Sequence, residues 1–260
     1  MSAPVLIEAA LNGRAAAPAP WTPEETAEEG RRAVEAGAAM VHVHARTREG
    51  AQSSDPDWYR RFRERFDATC PGVPVSYTSR VAPSLLADVA AWDPAPAVCS
   101  VNYAHDEDPW RDLLDVLEQR AIVVEAGVAD EAMIDAVRDH PLAPSHLVIL
   151  VEAEDPSRTA AAARYLELRA HAAAACPGVP IVAHGYGDAT WGIVGAALAA
   201  DDHVRVGLED AKMLADGREI RSNGDLVENA VRIAEALGRT PIGPEAVAAL
   251  LAPVAEAAPR

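Results

Sequence analysis

The chain of 260 residues is poor in cysteine, in basic residues and in long apolar runs, and each shortage narrows its class. Its three cysteines, Cys70, Cys99 and Cys176, are odd in number and far apart. That excludes a disulfide framework and fits a reduced cytoplasm. Lysine and arginine total 23 against 40 acidic residues, a formal net charge of −17. Nucleic acid and anionic membrane surfaces repel such a chain, so neither is an expected partner. No stretch approaches the roughly 18 consecutive apolar residues of a membrane-spanning helix. Met1–Pro4 is uncharged and no signal-type apolar run follows it, so a cytoplasmic location without a signal peptide is expected. There is no repeat architecture. Pro-Gly-Val-Pro occurs at 71–74 and again at 177–180, each time after a cysteine that closes a helical pattern, which reads as reused turn chemistry.

What is present is a regular alternation. Eight short apolar runs read as strands: Val5–Leu11, Ala39–His44, Val73–Thr78, Ala97–Asn102, Ala121–Ala126, Leu147–Val151, Pro180–His184 and His203–Leu208. Helical patterns lie between them. Thr22-Pro-Glu-Glu forms a capping box that opens a helix to Gly37, and Asp55-Pro56 opens the next, ending near Cys70. Later helices are expected at Pro83–Ala91, Pro109–Arg120, Asp130–Asp139, Ser157–Ala175, Asp188–Ala199 and Asn223–Leu237, with an extra C-terminal one at Pro244–Leu251. Eight β/α units without a long linker predict one domain over 1–260, an α/β fold of the (β/α)8 TIM-barrel type. An open doubly wound sheet usually shows a Gly-rich phosphate loop after its first strand, and Ala9-Ala-Leu-Asn-Gly-Arg14 is not one.

In such a barrel the active site lies at the C-terminal ends of the strands. Polar residues gather there in every unit: Asn12 and Arg14; His42, His44 and Arg46; Thr78 to Arg80; Ser100, Asn102 and His105; Glu125; Glu152 and Glu154; His184 and Tyr186; Arg205, Glu209 and Asp210. The run Met-Val-His-Val-His-Ala (40–45) is the sharpest signal. Alternate strand residues share a face, so the two imidazoles project together from Cα atoms about 6–7 Å apart. They either hold one metal ion or form a structural pair, each ring bonded to a carbonyl or carboxylate. On the last strand Arg205, Gly207 and Glu209 share a face, and Glu209 would complete a His2Glu zinc set with open positions. Asp210 stands beside it as a base. Arg205 either holds an anion or braces the interior as an ion pair with Glu209.

These elements, together with Ser100-Val-Asn102, Val182-Ala-His-Gly-Tyr-Gly187, His203-Val-Arg-Val-Gly-Leu-Glu-Asp210 and Arg221-Ser-Asn-Gly-Asp-Leu-Val, resemble the β-keto acid cleavage enzymes over nearly the whole chain. The resemblance implies a zinc-dependent barrel that condenses a β-keto acid with acetyl-CoA and releases acetoacetate and a new acyl-CoA. It implies His42, His44 and Glu209 as zinc ligands, Asp210 as general base and Arg205 as its electrostatic partner. Thr78, Ser100 and Glu125 match further active-site positions, and Asn102 shares a strand with Ser100. A homo-oligomer is expected.

The chain also departs from that pattern. Val151-Glu-Ala-Glu-Asp-Pro-Ser replaces a Gly-rich loop, Ala211 replaces an Asn after the base, and Ser79-Arg80 replaces glycines. An acidic loop near CoA would repel its phosphates, which leaves open a metal-dependent aldolase or hydrolase that acts on an oxo-acid without CoA. A barrel that has lost activity is a third reading, and the intact His42, His44, Glu209 and Asp210 oppose it. In the family that the chain resembles, the loop after the first strand helps read the substrate's distal group. Here it carries Arg14 and no acid, so the resemblance implies an acidic or uncharged β-keto acid, unless Arg14 points to solvent or pairs with one of the acidic residues.

Overall fold

Eight parallel strands hydrogen-bond around a complete circle in the order of the sequence. They are β1 (Ile7–Ala10), β2 (Met40–Val43), β3 (Val75–Thr78), β4 (Val98–Asn102), β5 (Val123–Val128), β6 (His146–Val151), β7 (Ile181–Gly185) and β8 (His203–Val206). The computed structural model describes residues 3–13, 22–79, 84–103, 109–140, 144–151 and 157–252. The expected (β/α)8 barrel is therefore the observed one. Arg14, Arg80, His105 and the acidic stretch with Glu152 and Glu154 lie outside the described residues.

The helices are α1 (Pro23–Glu35), α2 (Pro56–Thr69), α3 (Leu85–Ala91), α4 (Pro109–Gln119), α5 (Glu131–Asp139), α6 (Arg158–Ala175), α7 (Thr190–Ala199), α8 (Asn223–Ala236) and α9 (Pro244–Leu250). The expected caps form. Thr22 Oγ1 accepts from Glu25 N and Glu25 Oε2 accepts from Thr22 N, both at 3.1 Å. Asp55 Oδ1 accepts from Asp57 N at 3.0 Å with Pro56 in the first turn. The duplicated turns share one geometry. Gly72 and Gly178 have φ of +80° and +83°, a left-handed conformation that glycine adopts without a Cβ clash. The cysteine before each donates its N–H back to the helix.

Several boundaries differ from the periodicity. Pro4–Val5 pairs with Thr240–Pro241 as a separate small sheet, so the barrel strand begins only at Ile7. Ala121 has φ of +53°, a turn after α4 that delays β5 to Val123. Strand β2 stops at Val43, and Ala45–Arg46 turns away to pair antiparallel with Gln52–Ser53. His44 sits at that bend. The segment after β7 opens as a 3-10 turn at Gly187–Ala189 before α7 begins.

Outward-facing residues such as Val41, Val75 and Val204 are fully buried under the helices. Each contributes on the order of 1.5–3 kcal/mol by leaving water. A second apolar cluster joins Leu6, Met40, Val98, Val148 and Val182 inside the barrel to Val247 and Leu251. The extra helix α9 thus packs on the strand starts and leaves the opposite end for chemistry. Between floor and mouth the interior is polar: Glu8, His42, Ser76, Glu125, His146, His184 and Arg205 are all buried.

Candidate metal centre and active site

His42 is the third residue of β2, and His44 lies just beyond the strand's end. Their Nε2 atoms are 3.0 Å apart and the rings meet edge-on. At that separation two neutral imidazoles either share one N–H or aim both lone pairs at one cation. Glu209 Oε2 lies 3.5 Å from His44 Nε2 and 3.9 Å from His42 Nε2. The three ligand atoms fall within 4.8 Å of one another. Ligand distances of about 2.0–2.2 Å to zinc place its donor atoms roughly 3–4 Å apart, which these atoms match. Glu209 Oε2 is buried and accepts no hydrogen bond, an orphaned oxygen that a cation would satisfy. The three residues therefore fit a divalent ion such as zinc.

Neighbouring groups hold the ligands in place. Ser76 Oγ lies 3.1 Å from His42 Nδ1. Asn12 clamps the backbone of His44: its Oδ1 accepts from His44 N at 2.8 Å and its Nδ2 donates to His44 O at 2.9 Å. Arg46 Nη2 donates to Asn12 O at 2.9 Å and Arg46 Nη1 to Gly50 O at 3.1 Å, so this cation braces two loops. Asn223, in the Arg221-Ser-Asn motif, ties the ends of β8 and β1 to α1. Its Oδ1 accepts from Leu208 N at 2.9 Å, its Nδ2 donates to Leu11 O at 3.2 Å, and its N–H donates to Glu29 Oε2 at 2.8 Å. The sequence alone assigns neither Asn223 nor Asn12 a role; the position of Asn12 just after β1 and of Asn223 at the start of α8 was the available signal.

Arg205 spans two carboxylates. Its Nη2 donates to Glu209 Oε1 at 3.0 Å and its Nη1 to Glu125 Oε1 at 3.3 Å. Glu125 Oε2 in turn meets His146 Nε2 at 3.0 Å, and His146 Nδ1 meets Ser145 Oγ at 2.8 Å. Both expected roles of Arg205 remain compatible with this: it braces the interior and its Nε is still without a partner. Burial pushes the Glu209 carboxyl up, but Arg205, His44 and His42 outweigh it and hold it well below the usual range. Burial likewise raises Glu125, and the contact with His146 and the charge of Arg205 overcome it. Burial and the charge of Arg205 push His42 well below its ordinary value, which favours the neutral, metal-binding imidazole. Burial beside Glu125 pushes Glu8 well up, toward a neutral acid.

A narrow cleft opens over this group. Thr78, Ser100 and Asn102 supply one polar wall, Gly127, Val148 and Leu150 an apolar one, with His42, His44, Arg205 and Glu209 at the base. Seven of the ten sequence-expected site residues thus line one cleft. Asp210 and Glu125 do not line it; their fully buried side chains lie behind Glu209 and Arg205. Burial raises the Asp210 carboxyl, and His184 partly opposes the rise. Arg14 lies outside the described residues.

A (β/α)8 barrel with a His-x-His and Glu cluster at its catalytic end defines a class of metal-site barrel enzymes. The chain belongs to the beta-keto acid cleavage enzyme family, whose profile matches residues 4–252. It is 27% identical over 239 residues to the 3-keto-5-aminohexanoate cleavage enzyme of Fusobacterium nucleatum, covering 85% of each chain. To the enzyme of the same name from Acetoanaerobium sticklandii it is 24% identical over 240 residues, covering 85% of this chain and 86% of that one. Among solved structures, the apo form of ObcA superposes with a TM-score of 0.77 at 19% identity, covering 90% of this chain and 65% of ObcA. ObcA in a ternary complex with a C4-CoA adduct and oxalate gives 0.71 at 19% identity, covering 90% of this chain and 67% of that one. At that identity ObcA speaks for the fold alone.

Proposed function

We propose that the protein is a zinc-dependent acyltransferase that condenses a β-keto acid with acetyl-CoA and releases acetoacetate and a new acyl-CoA. The observation that carries this reading is the convergence of His42 Nε2, His44 Nε2 and the unpartnered Glu209 Oε2 at the mouth of the barrel. Those three residues would hold the zinc ion. When bound, zinc supplies Lewis-acid polarisation of the keto acid's oxygens, which acidifies the carbon between its carbonyls.

The remaining residues bind, orient and move the proton. Thr78, Ser100 and Asn102 offer hydroxyl and amide groups to substrate oxygens along one wall. Arg205, fixed between Glu125 and Glu209, offers its unpartnered Nε to an anion at the base of the cleft. Asp210, next to the ligand Glu209, is the general base for the proton at C2 in this reading; its Oδ2 accepts no hydrogen bond. Glu125 keeps Arg205 in place from below. The family membership supports cleavage of a β-keto acid, and acetyl-CoA as co-substrate is the finer part of the same proposal. A homo-oligomer in the cytoplasm is part of the same reading, and no helix among the described residues is long and apolar enough to cross a membrane.

The test is an assay for acetoacetate with zinc-loaded protein, a β-keto acid and acetyl-CoA, each omitted in turn. Acetoacetate formation that depends on all three is expected. Turnover of the oxo-acid without any CoA ester would instead establish the aldolase or hydrolase reading.

A further inference from the structure

His184, on β7, is not needed by the metal set or by the cleft walls, yet it is fully buried among catalytic groups. Its Nε2 lies 2.7 Å from Asp210 Oδ1, with both side chains fully enclosed. The contact is close but bent, so that neither atom completes a well-aligned hydrogen bond, and Asp210 Oδ2 and His184 Nδ1 also have none. Four buried polar atoms converge with no other partner, an arrangement that costs free energy unless it serves the site. The ring also packs against Tyr186, 4.7 Å away between centroids. The backbone after β7 is tied to the same acid: Gly187 N donates to Asp210 O at 2.7 Å.

We propose that His184 is a positioning residue for Asp210. It holds Oδ1 by the 2.7 Å contact from Nε2 and leaves Oδ2, which has no partner, as the oxygen that takes the proton. This rests on the reading of Asp210 as the base. An acid that is displaced behind the cleft wall needs such a hold, because free rotation about its two side-chain torsions would spread Oδ2 over several orientations. The cost of losing the hold should fall on the proton-transfer step and leave substrate affinity alone.

The test uses zinc-loaded full-length protein and acetoacetate without any CoA ester. Solvent-deuterium exchange at C2, corrected for the uncatalysed rate, is followed by NMR. H184L removes the N–H at similar volume, whereas H184Q carries an amide N–H at nearly the reach of Nε2. Expected are exchange about 10–100-fold slower in H184L, with KM within about twofold and zinc content unchanged, and near-complete recovery in H184Q. In a D210N background H184L should cause no further loss, since the two act as one unit. Exchange at the wild-type rate in H184L overturns the inference, as does H184Q falling as low as H184L, or additive losses in the double variant. A second metal ion per chain that H184L abolishes also overturns it, since His184, Glu209 and Asp210 could themselves form a ligand group. If H184L does not fold, H184N replaces it, because its shorter amide falls short of Oδ1. Equal rates in H184N and H184Q then refute the idea, and a slow H184N beside a fast H184Q supports it. Unchanged exchange in D210N alone is a different failure, that of the base assignment.

Discussion

Gly13 and Glu209 are packed so closely that a Cβ on residue 13 would fall 1.8 Å from the Glu209 carboxyl carbon. The loop after β1 passes directly over the expected zinc ligand, and only a missing side chain lets it. Gly13 is not in the left-handed region, so alanine adds no backbone strain there. Its effect should be specific: Gly13→Ala displaces the Glu209 carboxylate from Arg205 and from the histidines. Metal affinity should fall about 10–100-fold, as for other changes that misplace a ligand. Competition against a chromophoric chelator measures this. Wild-type affinity in the variant would mean that Glu209 does not ligate.

His42→Ala should lose metal and activity together. One zinc per chain is expected in the reconstituted wild type, from one imidazole pair and one carboxylate. Elemental analysis reads the metal, and far-UV circular dichroism checks that the barrel persists. A variant that keeps full zinc occupancy would remove His42 from the ligand set.

Asn223→Ala tests the knot beneath the site. The change strands Leu208 N and Leu11 O, both buried in the loops that carry Glu209 and Asn12. Unsatisfied buried groups cost about 1–3 kcal/mol each, so a total of roughly 3 kcal/mol is expected. Urea denaturation reports it as a lower midpoint with an unchanged slope. A change within about 0.5 kcal/mol would show that Asn223 only fills space.

His203 gives the stability its pH dependence. Burial, helped by the nearby Arg239 and His146, pushes its pKa down from 6.5 to about 4. Leu6 N donates to His203 Nδ1 at 3.1 Å, a bond that the neutral ring accepts. Below pH 6.5 the unfolded chain takes up the proton and the folded chain refuses it until about pH 4. The contribution is therefore fully present above pH 6.5 and is lost as pH falls toward 4, roughly 3 kcal/mol in all. His203→Asn keeps an acceptor near Nδ1 and cannot titrate. Across this window the wild type should lose more stability than the variant by about that amount. Parallel curves of stability against pH would exclude His203 as the source.

The barrel's rule about strand ends made the candidate metal group legible, but strict alternation held only in part: β2 stops at Val43 before His44, and β8 stops at Val206, so Glu209 reaches the histidines from the turn that follows. The helix caps at Thr22 and Asp55 were equally local, and they formed as read. Contacts set by register across strands were not legible. Nothing within β7 or β8 says that His184 meets Asp210, or that Glu125 on β5 pairs with both His146 and Arg205. Asn12 escaped notice as a clamp because its partner is the backbone of His44, 32 residues away. The hairpin at Ala45–Arg46 also broke the expected run at Val43, since two-residue pairing carries no periodicity.

Substrate choice is the remaining prediction. Two relatives of the chain are named for an amino-bearing keto acid. A cationic tail needs a carboxylate, and among the described lining residues of this cleft the carboxylate is Glu209, already shared by Arg205 and the histidines. The adjoining Gly127, Val148 and Leu150 are apolar. The loop after β1 adds Arg14 and no acid at 12–18. An acidic or uncharged β-keto acid is therefore expected to be preferred over an amino-bearing one. A panel with cationic, neutral and anionic tails would be compared by kcat/KM in the wild type and in Arg14→Glu. If Arg14 selects, charge reversal moves the ranking toward the cationic tail. Exposed charge pairs contribute only about 0–1 kcal/mol, so an Arg14 that points to solvent would leave the ranking unchanged. Wild-type preference for the cationic tail would refute the prediction and place an acid for the ammonium among residues outside the described cleft walls.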